Sequence, residues 1–87
     1  METAAQNAVD GFLRHLALER RLSPHTVDAY GRDLGALSDW CDRQGIATWG
    51  ALDHAHVRSF GARSHAAGLG PRSIQRCFST IRSFYNY

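Results

Sequence analysis

"PRSIQRCFSTIRSFYNY", residues 71–87, is the stretch on which the reading of the fold turns. Ile74, Cys77, Phe78, Ile81, Phe84 and Tyr85 recur at steps of three and four, so a 3.6-residue period gathers them on one side. Arg72, Arg76, Ser79 and Ser83 fall opposite, with Gln75 and Arg82 on one flank and Asn86 nearby. That is an amphipathic helix. Pro71 suits its first position, where the N–H that proline lacks would go unpaired anyway. No C-cap signal precedes Tyr87, so the pattern is expected to run on into a further domain.

The same opening occurs earlier. "LSPHTV" at 22–27 and "LGPRSI" at 69–74 both read Leu, then Ser or Gly, Pro, a polar residue, Thr or Ser, and a β-branched aliphatic. Ser23 is the N-cap of the earlier helix, offering an acceptor to unpaired N–H groups. Val27, Tyr30, Leu34, Leu37 and Cys41 then form a narrow apolar face. Asp28–Arg32 and Asp39–Arg43 are i,i+4 pairs on the wet face, expected to close as ion pairs. Gly45 is the stop.

Two more helices complete the chain. The first runs from about Ala4 to Arg21, with Val9, Phe12, Leu13, Leu16 and Ala17 as its stripe. After a connector, "IATWGALDH", that contributes Ile46, Trp49 and Leu52 to the core, Asp53 caps a helix over about His54 to Ala67. That third helix is expected to pack loosely, because Gly61 and Ser64 stand where its apolar stripe would continue. No segment alternates as a strand would. The expected fold is all-α, an orthogonal bundle of four to five helices. Residues 1–8 are expected to be a flexible arm, and residues 9–87 the domain.

Composition narrows the function. The 87 residues carry a net charge of +2, with ten basic residues, all of them Arg. Residues 54–87 contain five of these arginines (Arg58, Arg63, Arg72, Arg76 and Arg82) and no acid. An acid-free, Arg-bearing half points to an anionic partner. No apolar run reaches the length of a membrane span, and the N-terminus lacks the pattern of a secretory signal. Cys41 and Cys77 make no metal or redox motif and are expected as reduced thiols of a cytoplasmic protein. His54 and His56 form His-x-His without further ligands, so no metal or other cofactor is expected. No nucleophile–base pair or phosphate loop is present, so no catalysis is expected from this stretch.

The two Pro-started helices offer more than caps. A helix N-terminus favours phosphate. Thr26 and Ser73 place hydroxyls in those first turns, and His25 and Arg72 place cationic or titratable side chains beside them. The last helix adds Arg and Gln, the residue types that read guanine and adenine edges in a major groove.

Taken together, "FLRHLALERRLSPHTVDAYGRDLGALSDWC" and "LGPRSIQRCFSTIRSFYNY" resemble the N-terminal core-binding domain of tyrosine recombinases, the group of the Xer recombinases and phage integrases. The likeness covers residues 9–87. It rests on Phe12-Leu13 with Leu16; Leu22-Ser23-Pro24 with Thr26 and Tyr30; Asp33-Leu34; Val57-Arg58; and Leu69-x-Pro71-x-Ser73-Ile74 followed by Ser79 and Arg82-Ser83-Phe84-Tyr85. The family often has Ser where Gly70 stands, and aliphatics near Gly61 and Ser64. The resemblance implies a SAM-like domain that clamps one face of double-stranded DNA in site-specific recombination, including chromosome dimer resolution. The family's catalytic residues lie in a separate C-terminal domain, and other recombinase subunits share the site. It assigns Ser23, His25, Thr26, Arg32, Arg72, Ser73, Gln75, Arg76, Ser79 and Arg82 as candidate DNA contacts. The isolated domain is expected to be a monomer. The competing expectation is a SAM-like module that binds protein and not DNA.

Overall fold

A computed structural model describes residues 1–87. Four helices form: α1 (Thr3–Leu18), α2 (Pro24–Arg43), α3 (His54–Ala66) and α4 (Pro71–Asn86), with a 3₁₀ turn at Trp49–Ala51 before α3 and no strand. The architecture is an all-α SAM-like bundle. Local chemistry sets its joints. Ser23 Oγ accepts from the Thr26 N–H at 3.2 Å, with Pro24 following it as the first residue of α2. Asp53 accepts from the His56 N–H at 2.8 Å, and His56 Nδ1 accepts in return from the Asp53 N–H at 3.1 Å. That reciprocal pair is a capping box with an imidazole in the usual Glu or Gln place. Gly45 (φ 75°) and Gly68 (φ 96°) take the left-handed cap that ends α2 and α3.

The core has two parts. Val9, Phe12 and Leu16 of α1 meet Leu34 of α2 and Phe84 of α4. Leu37, Trp40 and Cys41 of α2 meet Ile46, Phe60 of α3, and Cys77 and Ile81 of α4. Thus α2 and α4 serve both parts, while α1 and α3 each close one side. Trp49 lies against both parts, and its indole N–H donates to the Ala5 carbonyl at 3.0 Å. Burying these aromatic and aliphatic side chains stabilises the fold by roughly 1.5–3 kcal/mol for each that is fully enclosed.

Several expectations need correction. Residues 3–8, within the stretch expected as a flexible arm, are helical. They are the start of α1; Ala5 is buried, and the N-terminal ammonium pairs with Asp42. Helix α1 ends at Leu18, short of Arg21, because Arg21 adopts φ 52° and turns the chain back. Leu22 then donates to the Leu16 carbonyl at 3.0 Å and packs on the α1 side of the core. The Asp28–Arg32 and Asp39–Arg43 pairs do not close; the ion pairs are Met1–Asp42, His56–Asp53 and Arg76–Asp33. Asp28, Arg32, Asp39 and Arg43 stay exposed, where pairing gains little over solvation. Finally, α3 has a packing reason for its small residues. Gly61 is buried against Phe78, and Ser64 donates to the Phe60 carbonyl within the helix at 2.9 Å.

Candidate nucleic-acid interface

The two similar helix starts differ in what they leave free. At α2, Pro24 has no N–H, that of Thr26 goes to Ser23 Oγ, and that of Val27 goes to the Ser23 carbonyl. Only the His25 N–H stays open. The Thr26 hydroxyl is 3.0 Å from the Ser23 hydroxyl, so it too is engaged. At α4, Gly70 supplies no side-chain cap. Ile74 bonds the Gly70 carbonyl, which leaves the N–H groups of Arg72 and Ser73 without partners. The α4 start is therefore the stronger anion-facing end.

Downstream of it, Arg72, Gln75, Ser79 and Arg82 are all exposed and spaced by three, four and three residues, one continuous stripe. No acid lies anywhere on α3 or α4. The outer side of α2 is different. Arg32 and Arg43 are exposed there, but so are Asp28, Asp39 and Asp42. Ser23, His25, Thr26 and Arg32 therefore form a smaller and electrostatically mixed patch.

Arg76 is the expected contact that the structure treats differently. Sequence periodicity places it on the free face. Instead its Nε donates to Asp33 Oδ2 at 3.0 Å and its Nη2 to Asp33 Oδ1 at 2.8 Å. The Thr80 hydroxyl lies 3.0 Å from Asp33 Oδ2 and 2.9 Å from the Arg76 carbonyl, so its single proton serves one or the other. The Asp33 side chain is 7% exposed and that of Arg76 42%. The hydrogen bonds it donates to Asp33 hold the Arg76 guanidinium above its usual pKa. Asp33, named only among the residues that carry the resemblance, and Thr80 were not assigned a role at the site. The signal was present: Asp33 stands at helical spacing with Tyr30, Leu37 and Trp40, a lone carboxylate on a core-facing stripe.

Beside Arg82 a groove of about 630 Å³ opens between α3 and α4, lined by Leu52, Val57, Phe78, Ile81 and Tyr85 and by Arg58 and Arg82. The Tyr85 hydroxyl donates to the Trp49 carbonyl at 2.5 Å, and burial pushes its pKa up to about 12. No three His, Cys, Asp or Glu side chains gather as a metal site, and no helix is long and apolar enough to cross a membrane.

A family model, "Phage integrase, N-terminal SAM-like domain", matches residues 9–87. The chain belongs to this family. It is 44% identical over 79 residues to the tyrosine recombinase XerC of Pseudomonas syringae pv. syringae (strain B728a), covering 91% of this chain and 26% of that protein. It is 48% identical over 82 residues to the tyrosine recombinase XerC of Xanthomonas campestris pv. campestris (strain B100), covering 94% of this chain and 26% of that protein. The integrase-type domain thus spans about a quarter of the length of these curated relatives. No solved structure matches.

Proposed function

We propose that this integrase-type domain is the DNA-binding N-terminal part of a site-specific tyrosine recombinase acting in the cytoplasm, laid against double-stranded DNA by the α4 start and its outer stripe. The observation that carries this reading is the acid-free stripe Arg72, Gln75, Ser79 and Arg82. It continues from a helix start with two unpartnered N–H groups, in a family of recombinase domains. Ser73 adds a half-buried hydroxyl to that start. Ser23, His25, Thr26 and Arg32 are the secondary contacts. Strand cleavage and joining belong to residues outside this domain, and other recombinase subunits would share the DNA.

Titration with a short duplex, followed by amide NMR at two salt concentrations, tests it. Binding in the range of ~10⁻⁴–10⁻⁶ M at physiological salt, weakening steeply as salt rises, is expected of one small module. Shifts should be largest over residues 71–83, with smaller ones over 23–32. Absence of binding at low salt, or shifts centred on α1, would refute the assignment. A second reading, docking of a protein, draws on the apolar α3/α4 groove. It predicts association that barely responds to salt, with shifts at Val57, Phe78 and Tyr85.

A further inference from the structure

We infer that Arg76 is a base-reading residue and not a phosphate anchor, and that Asp33 is the positioning residue that makes it one. The inference rests on the DNA-binding reading above and goes beyond it by separating the roles of the α4 arginines.

A guanidinium carries five N–H groups in one plane. Asp33 grips the Nε/Nη2 edge of Arg76 at 3.0 and 2.8 Å. The Nη1/Nη2 end is left with its donors free, on a side chain that is 42% exposed. That end presents two N–H groups side by side, the arrangement that meets O6 and N7 of guanine together. The plane is fixed, because the carboxylate that holds it is almost fully buried and its Oδ2 also lies 3.0 Å from the Thr80 hydroxyl. A free arginine must give up side-chain freedom to reach such a geometry; this one already has it.

Charge argues the same way. Arg76 and Asp33 together are neutral, so at phosphate distances the pair attracts little. Arg72 and Arg82 have no ionic partner and keep their full charge. What Arg76 can contribute is directional hydrogen bonding, which separates one base pair from another. What Arg72 and Arg82 contribute is attraction to any backbone, which does not. Arg76 also lies one turn beyond Arg72, so the helix start can rest on phosphate while the next turn faces the base edges.

The test enriches duplexes from a randomised pool with the wild type, Arg76→Lys, Asp33→Asn and Arg72→Ala. The enriched and scrambled duplexes are then titrated at two salt concentrations, with melting recorded for each variant. The wild type should select a G·C pair at one position, and prior N7-methylation of that guanine should block binding. Arg76→Lys and Asp33→Asn should each lose that preference by about 5- to 150-fold, the equivalent of one bidentate base contact. Arg76→Lys should leave the salt slope unchanged. Arg72→Ala should keep the preference while its slope falls by about one. The inference is overturned if the wild type binds duplexes with no guanine preference, if N7-methylation has no effect, or if folded Arg76→Lys selects as the wild type does. Retention of no duplex at low salt would instead remove the DNA-binding reading itself.

Discussion

Gly61 of α3 lies end-on to the ring of Phe78: a Cβ added to Gly61 would stand 2.4 Å from Cζ and 3.0 Å from Cε1. The missing side chain lets α3 approach α4 while Phe78 fills the space a longer residue would take. Two effects of Gly61→Ala therefore oppose each other. Alanine gains about 1 kcal/mol over glycine in a helix interior. Overpacking costs about 1–3 kcal/mol, and toward the lower end here, since Phe78 is half-buried and can swing toward the open groove. The two nearly cancel, so a net loss between zero and about 1 kcal/mol is expected. In a Phe78→Ala background the clash is gone and the same change should stabilise by about 1 kcal/mol. Urea unfolding of the four proteins gives the coupling directly. An equal effect in both backgrounds would show that the ring does not restrain this site.

The Asp33–Arg76 pair makes a second stability prediction. Removing Arg76 strands a buried carboxylate whose other side-chain neighbour is Thr80. Leaving a buried polar group short of partners costs about 1–3 kcal/mol, and solvent reaching the half-exposed guanidinium keeps the loss toward the lower end. Arg76→Ala should therefore destabilise, unlike Arg72→Ala, which touches no special feature. Adding Asp33→Asn to Arg76→Ala should recover part of the loss, since a neutral amide is less costly to bury. Denaturant midpoints for the single and double variants decide it. A neutral Arg76→Ala would mean the pair is broken in solution.

Why the helices could be read from the sequence and this pair could not is a matter of which forces have a period. Apolar stripes and Pro-led caps recur in the chain, so α2 and α4 were legible to within a residue or two at their starts. Asp33 stands on a core-facing stripe, but Arg76 is 43 positions away, and nothing local names it as the partner. Periodicity alone assigned Arg76 to solvent. Trp40 escaped for a related reason. It flanks the narrow stripe through Leu37 and Cys41 and is buried with Phe60 of α3 beside it, ring centres 5.8 Å apart. Gly61 looked like a gap in a stripe because its partner, Phe78, lies on another helix. Of the expected contacts on α4, Arg72 and Ser79 are exposed, and so are Gln75 and Arg82, which the wheel set on a flank. The difference between the two helix starts needed the hydrogen bonds themselves.

Burial gives the protein an alkaline limit. The Cys77 thiol is raised from 9.0 to about 11, chiefly by desolvation and then by the nearby Asp33 charge. Tyr85 moves from 10.0 to about 12, again chiefly by burial. In both cases the folded protein holds its proton more tightly than the unfolded chain. Their contribution to stability is whole below pH 9 and is lost as pH rises through 11 and 12. Denaturant midpoints should be flat between neutrality and pH 9 and fall beyond it. Cys77 is buried and holds its proton at pH 8, so little of it is thiolate, the reactive form. A thiol reagent should therefore label it only as fast as the protein unfolds. Rapid labelling of the native protein at pH 8 would show that the thiol is not enclosed.

Arg72 and Arg82 carry the electrostatic part of the proposed contact, and their loss should be read as a change in salt dependence. Both are exposed and neither has an ionic partner. Arg72→Ala/Arg82→Ala should therefore leave stability within about 0.5 kcal/mol of the wild type. Each arginine that neutralises a phosphate adds about 0.9 to the slope of log affinity against log salt on duplex DNA. The double variant should lose roughly twice that, and by the same amount on every duplex sequence. Arg58→Ala is the control, because Arg58 lines the same α3/α4 groove as Arg82 but lies on α3, outside the α4 stripe. If the duplex lies along the outer face of α4, Arg58→Ala should change the slope little. A folded double variant with an unchanged slope would remove α4 from the interface. A drop from Arg58→Ala as large as from Arg82→Ala would move the duplex over the groove, and the apolar side chains there would then be covered by DNA.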